Sequence, residues 1–156
     1  MERTLVIIKP DAVQRGLIGE ITGRLENRGL KVVGVKMMWI NRELAERHYC
    51  IHKDKSFYDN LIAYITSAPV VVQVWEGPKA IEIVRHTFGA TQPLDANPGT
   101  VRADFGMQAE RNLSHASDGP ETAASEIANF FEPDELVEWT RCTDPWIMLK
   151  ERGAAD

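Results

Sequence analysis

Cysteine is scarce. The two residues, Cys50 and Cys142, stand far apart and form no Cys-x-x-Cys. That excludes a dense disulfide framework and points to free thiols in a reducing compartment, with the cytoplasm expected. Long apolar runs are also missing, and none approaches the ~20 residues that a bilayer-crossing helix needs. No membrane is therefore expected. The N-terminus runs from Met-Glu-Arg-Thr straight into a strand-like segment without a signal-peptide pattern. There is no surplus of positive charge: 18 Lys and Arg face 23 Asp and Glu, for a net charge of -5. That argues against a broad nucleic-acid surface and leaves room for a local cationic pocket. Internal repeats, low-complexity stretches and linkers are lacking. So are a phosphate-cradling Gly-x-x-x-x-Gly-Lys-Ser/Thr, a protein-kinase signature set and a Gly-x-Ser-x-Gly elbow.

A hydrophobic content of 44% in 156 residues is enough for one proper core, so a single domain over 1–156 is expected. Thr4 to Lys9 is β-branched and apolar, the pattern of a strand buried on both faces, and Pro10 ends it. Leu17, Ile18, Ile21 and Leu25 have helical spacing, with Gly29 placed as a C-terminal cap. Leu30 to Ile40 reads as a second strand. Asn41 caps a helix over 42–49, and Phe57 to Ile65 forms another. Val70 to Trp75 is a third strand. Pro78 opens a helix with Ile81, Val84 and Phe88 inward, and a twelve-residue loop with two prolines runs from Gly89 to Thr100. Leu113 to His115 is a short fourth strand. Pro133 starts a last helix through Trp139, and the chain from Cys142 on reads as irregular. This order predicts an α/β sandwich with a four-stranded antiparallel sheet, ferredoxin-like βαββαβ with inserted helices.

The chemistry concentrates between Arg111 and Glu126. His115 sits between the fourth strand and a marked helix start, where Asp118 with Glu121 reads as a capping box and Pro120 suits the first turn. Ala123, Ile127, Phe130 and Phe131 form the inward stripe of that helix. Glu126 lies beside the stripe and can reach back toward His115. A histidine with one ring nitrogen held by a carboxylate has the other free as base, ligand or nucleophile. A surface or capping histidine is the competing reading. Lys9 is either a solubilising strand-end lysine or an anion or ribose contact, and Arg85 is either solvated or an anion contact. His48 and His52 make an i, i+4 pair with no third metal ligand in view. Set together, Lys9, Tyr49, Lys55, Arg85, Thr91, Arg102, Asn112 and His115 all end apolar elements or lie on loops. If they converge, four cations and an imidazole make a pocket suited to a polyphosphate.

These segments, in this order, resemble the nucleoside diphosphate kinases. The match runs through Glu2 to Ile21, through Val71 to Gly77 with Trp75-Glu76-Gly77, and through Gly89-Ala-Thr, Pro98-Gly-Thr-Val-Arg102 and Arg111-Asn-Leu-Ser-His115-Ala-Ser-Asp118. The resemblance implies ping-pong transfer of a γ-phosphoryl from a nucleoside triphosphate to a diphosphate through Nδ1 of His115, with low base specificity. Glu126 would hold the other ring nitrogen and Ser117 would support Glu126. Lys9 and Asn112 would contact the ribose. Lys55, Arg85, Thr91 and Arg102 would hold the phosphates with Mg²⁺. Phe57 would stack on the base, and Tyr49 would lie near His115 and Lys9. A homo-hexamer or homo-tetramer is implied as well. Five positions depart from the family's common residues: Ala116, Ala68 and Ala103 stand where Gly is usual, and Lys55-Ser56 where Arg-Pro is common. Lysine keeps the charge but loses the bidentate fork. A nucleotide-sensing module without turnover is the alternative, which the intact His115, Glu126 and Lys9 oppose.

Overall fold

A strand with no polar face needs cover on both sides, and β1 (Glu2–Ile8) is such a strand: Leu5, Val6, Ile7 and Ile8 are all fully buried. The computed structural model, which describes residues 1–149, sets β1 inside a four-stranded antiparallel sheet of order β2-β3-β1-β4. Its neighbours are β3 (Val70–Gly77) and β4 (Ser114–Ala116), and β2 (Lys31–Met38) forms the far edge beside β3.

Alternate residues of β1 feed two cores. Leu5 and Ile7 join Leu44, Tyr49, Ile62 and Phe130 on one face. Val6 and Ile8 join Ile21, Leu25, Trp75 and Phe88 on the other. The second face is covered by the two crossover helices, α2 (Ile18–Asn27) and α5 (Ala80–Phe88), which follow the short α1 (Pro10–Gln14). The first face carries α3 (Arg42–His48), α4 (Tyr58–Ile65) and α7 (Pro120–Phe130); the short α6 (Val101–Phe105) precedes α7. The expected ferredoxin-like arrangement, with inserted helices, is the one found.

Several local expectations need correction. β1 stops at Ile8, and Lys9 is the extended N-cap of α1, because Pro10 has no N–H to give the sheet. Pro78 does not open α5. That helix begins at Ala80, where the Glu2 carboxylate accepts the Ile81 N–H at 2.9 Å and Lys79 turns the chain with φ 52°. Asp118 is not a cap either. Gly119 is the N-cap of α7, and the Asp118 carboxylate accepts from Arg85 Nη1 at 2.7 Å. The segment from Pro133 makes one 3-10 turn, Pro133–Glu135, rather than a helix through Trp139. Beyond it, Val137 N–H donates to Val33 O at 2.7 Å and the Trp139 indole donates to Val32 O at 2.9 Å, so sheet-edge bonding replaces helical bonding. A one-turn helix, α8 (Asp144–Ile147), then interrupts the tail read as irregular; residues 150–156 lie outside the described part. The Asn41 cap is present, its side chain accepting the Leu44 N–H at 2.8 Å.

The two-sided burial of β1 yields a direct test. Leu5→Ala is expected to cost about 2–5 kcal/mol, the range for truncating a buried leucine. Urea denaturation measures it, and a loss below about 1 kcal/mol would mean that the first core does not depend on this strand.

Candidate active site

Register decides where the imidazole goes. His115 pairs directly with Ile7 across β1 and β4. Directly opposed residues share a face of the sheet. His115 is therefore delivered to the face that carries α3 and α7, and Glu126 waits there. His115 Nε2 lies 2.8 Å from Glu126 Oε2, and Ser117 Oγ donates to the same oxygen at 2.7 Å. Burial alone would raise the Glu126 carboxyl, but the hydrogen bonds from His115 and Ser117 outweigh it and hold the group below the ordinary range. An ionised Glu126 can only accept, so Nε2 carries a proton, and in the neutral ring the lone pair is on Nδ1. Ser117 is itself buried and is tied to β1, its oxygen accepting the Leu5 N–H at 3.3 Å.

The histidine opens onto a cavity of about 1140 Å³. Lys9, Tyr49, Phe57, Arg85, Thr91, Arg102 and Asn112 share its wall with His115 and Glu126. Lys55 and Ser117 do not. Lys55 is exposed, with Nζ 5.7 Å from the centre of the Phe57 ring. Ser117 stands behind the wall, reaching the cavity only through Glu126.

The polar residues of the wall are bound to one another. Lys9 Nζ donates to Asn112 Oδ1 at 2.8 Å, and Asn112 Nδ2 donates to Thr91 O at 3.1 Å. The Arg102 guanidinium donates to three carbonyls, of Asn112, Gly89 and Ser114, at 3.2, 2.7 and 2.7 Å. It thereby clips the loop after α5 to the strand that bears His115. Burial, followed by the nearby charge of Arg102, lowers Lys9 to about 8, against a smaller opposing effect of Asp11. Burial and Arg85 lower Arg102 to about 10. Both remain cationic at neutral pH, packed together with no carboxylate in an ion pair with either among the described residues. An anion is the ligand such a wall favours.

The sequence reading missed several neighbours. Leu113 holds φ 76° inside the core, a left-handed backbone that few side chains tolerate. Asp11 pins it by accepting the Leu113 N–H at 3.1 Å, while Lys9 N–H donates to Leu113 O at 2.9 Å. Strain of this kind persists where surrounding contacts over-determine the backbone. His48 and His52 both line the cavity. One ligand-capable atom each of His48, His115 and Glu126 lie within 4.8 Å of one another, a group that does not include His52. The sequence showed the i, i+4 pair without a third ligand, and gave no sign that His48 lies beside His115 and Glu126.

Comparison with known proteins settles the family. The family model described as nucleoside diphosphate kinase matches residues 2–136. The chain belongs to the nucleoside diphosphate kinase family. Its curated relatives include a nucleoside diphosphate kinase of Roseiflexus sp., 59% identical over 94% of this chain and 99% of that one. Another, from Pyrococcus horikoshii, is 58% identical over 96% of each. Among solved structures, a halophilic nucleoside diphosphate kinase from Halobacterium salinarum in complex with CDP superposes with TM-score 0.93 at 51% identity, covering 95% of this chain and 99% of that one. Every site residue named above falls inside the stretch matched to the nucleoside diphosphate kinase family; α8 falls outside it.

The depressed Lys9 makes the cationic wall sensitive to pH. A lysine is charged below its pKa, so its hold on an anion is present at pH 7 and fades as pH rises through about 8. Affinity for inorganic pyrophosphate, measured by calorimetry, is expected to fall several-fold between pH 7 and 9. The Lys9→Gln protein should bind more weakly at pH 7 and change little over that range. A flat wild-type profile would show that Lys9 does not face the anion.

Proposed function

We propose that this chain is a nucleoside diphosphate kinase that works by a ping-pong route through His115. The observation that carries the reading is the Glu126 contact, which occupies Nε2 and leaves Nδ1 beside a wall of cations. In the first half-reaction, the Nδ1 lone pair attacks the γ-phosphorus of a nucleoside triphosphate. The bond from that phosphorus to the β–γ bridging oxygen breaks, and the diphosphate leaves with the bond's electrons. The ring then carries a positive charge, which the Glu126 carboxylate stabilises without any proton having to move. A second nucleoside diphosphate reverses the step with its terminal oxygen as nucleophile. Such transfers depend on alignment and on positive charge around the phosphoryl oxygens.

Lys9, Arg85, Thr91 and Arg102 are proposed to grip the phosphates, and Lys9 with Asn112 the ribose hydroxyls. Lys55 reaches the phosphates from outside the wall. Tyr49 lies beside the reacting centre, its ring centre 6.4 Å from that of His115. Phe57, 47% exposed at the cavity rim, is the stacking surface for the base. Stacking accepts any base, which suits low base specificity. The CDP held by the Halobacterium salinarum relative is a ligand of the proposed class. Mg²⁺ would neutralise the phosphates and arrive on them. Of the three carboxylates lining the cavity, Glu126 is engaged with His115 and Ser117, Asp118 is engaged with Arg85, and Glu110 is exposed. The cytoplasm is the proposed setting, consistent with two free, exposed cysteines. Among the described residues no helix is long and apolar enough to cross a membrane.

A homo-oligomer, hexamer or tetramer, is proposed too. β2 is an outer strand of the sheet, and beyond the segment covered by Val137 and Trp139 it leaves Val35, Met37 and, just past its end, Trp39 about 60% exposed. An open apolar edge of this kind is a template for pairing with another chain. Sedimentation velocity is expected to report six or four copies; a monomer at micromolar concentration would refute the assembly.

Brief exposure to γ-labelled ATP and Mg²⁺, followed by mass mapping, tests the central step. Label is expected on His115, acid-labile and dischargeable by any common nucleoside diphosphate. His115→Ala should take no label yet still bind diphosphate. Wild-type exchange in that variant would remove His115 as the carrier.

A further inference from the structure

One half-buried titratable group lining the cavity has no part in the proposed transfer. His48, the last residue of α3, is packed by its ring against three others. Its centre lies 4.6 Å from the His115 ring at 80°, 4.5 Å from Tyr49 at 73° and 5.2 Å from Phe130 at 80°. Both of its nitrogens are buried without a hydrogen-bond partner among the described residues. Two shielded ring nitrogens without partners call for an explanation, since burying unpaired polar atoms opposes folding.

The need it meets follows from His115. The Cβ bond and the Glu126 contact at Nε2 hold that ring at two points, which leaves its plane to rotate about the line between them. A further contact is required to aim Nδ1. We propose that His48 is a positioning residue for His115, its ring packing edge-to-face to set the imidazole plane, with Phe130 and Tyr49 bracing it from behind. This rests on His115 being the phosphoryl carrier.

A brace beside a ring that becomes positive must not itself be charged. Burial, then the adjacent His115, Lys9 and His52, push His48 down to about 3, against the opposing pull of Glu126. It is neutral throughout the working range. Phenylalanine would share that neutrality and supply a ring edge at the same place. Reaction geometry tolerates little error, and a misplacement of about 1 Å can cost roughly a hundredfold.

The experiment is single-turnover labelling by γ-labelled ATP and Mg²⁺, with the labelled residue mapped and diphosphate affinity measured in parallel. His48→Ala is expected to label His115 at least about tenfold more slowly with diphosphate affinity within twofold of wild type. His48→Phe, which restores a ring, should recover much of the rate. His48→Asn, which keeps polar atoms but no ring, should stay as slow as alanine. A wild-type labelling rate in His48→Ala, or in His48→Asn, would overturn the proposal. So would a loss of affinity with the rate unchanged. If circular dichroism shows His48→Ala unfolded, the order of His48→Phe over His48→Asn decides in its place. Absence of label on His115 in the wild-type protein would instead refute the carrier assignment, so the two failures are distinguishable.

Discussion

One carboxylate oxygen holds the site together. Glu126 Oε2 receives both the His115 ring and the Ser117 hydroxyl, and each donor stands on or just after β4. The oxygen belongs to α7, so the bond that selects the imidazole tautomer is also the bond that docks this helix on the sheet. A buried carboxylate without donors would be costly or would take up a proton. With two donors it stays ionised, and an ionised carboxylate is what keeps the proton on Nε2. Packing and tautomer are thus a single constraint.

The cationic wall is built on the opposite logic. Lys9 and Arg102 are buried together, and their hydrogen bonds go to an amide oxygen and to backbone carbonyls rather than to carboxylates. Each loses some affinity for its own proton, and the stress is one that a polyanion relieves. Arg102 has two roles at once. Its three carbonyl contacts shape the loop that carries Gly89 and Thr91, while its charge faces the cavity. Removing it would disturb architecture as well as electrostatics. Arg85 differs: it is half exposed and already paired with Asp118, so its charge is partly spent on the surface.

Much of this was legible in the chain. The unbroken apolar run of β1 announced a strand covered on both faces, and the spacing after Asn41 and Pro120 announced helices, because each of these depends on local sterics and on burial period alone. The His115–Glu126 pairing was legible for a similar reason. Eleven residues of strand, turn and helix bring the two back to the same level, and the inward stripe of α7 says which way Glu126 faces. Where local preference competed with distant partners, reading failed. Asp118 has the chemistry of a cap, yet Arg85 claims it. Pro133 can begin a helix, yet the open carbonyls of Val32 and Val33 draw the following chain alongside β2.

The sequence by itself determined the periodicities, the caps that have no rival, and the set of residue types from which a phosphate site can be built; these are properties of neighbours along the chain. Only the tertiary structure decided that Ile7 stands opposite His115, that Leu113 is held left-handed by Asp11, and that His48 lies against His115. Those outcomes depend on register and on contacts between segments tens of residues apart, and no local pattern encodes which of several competing partners is reached first in space.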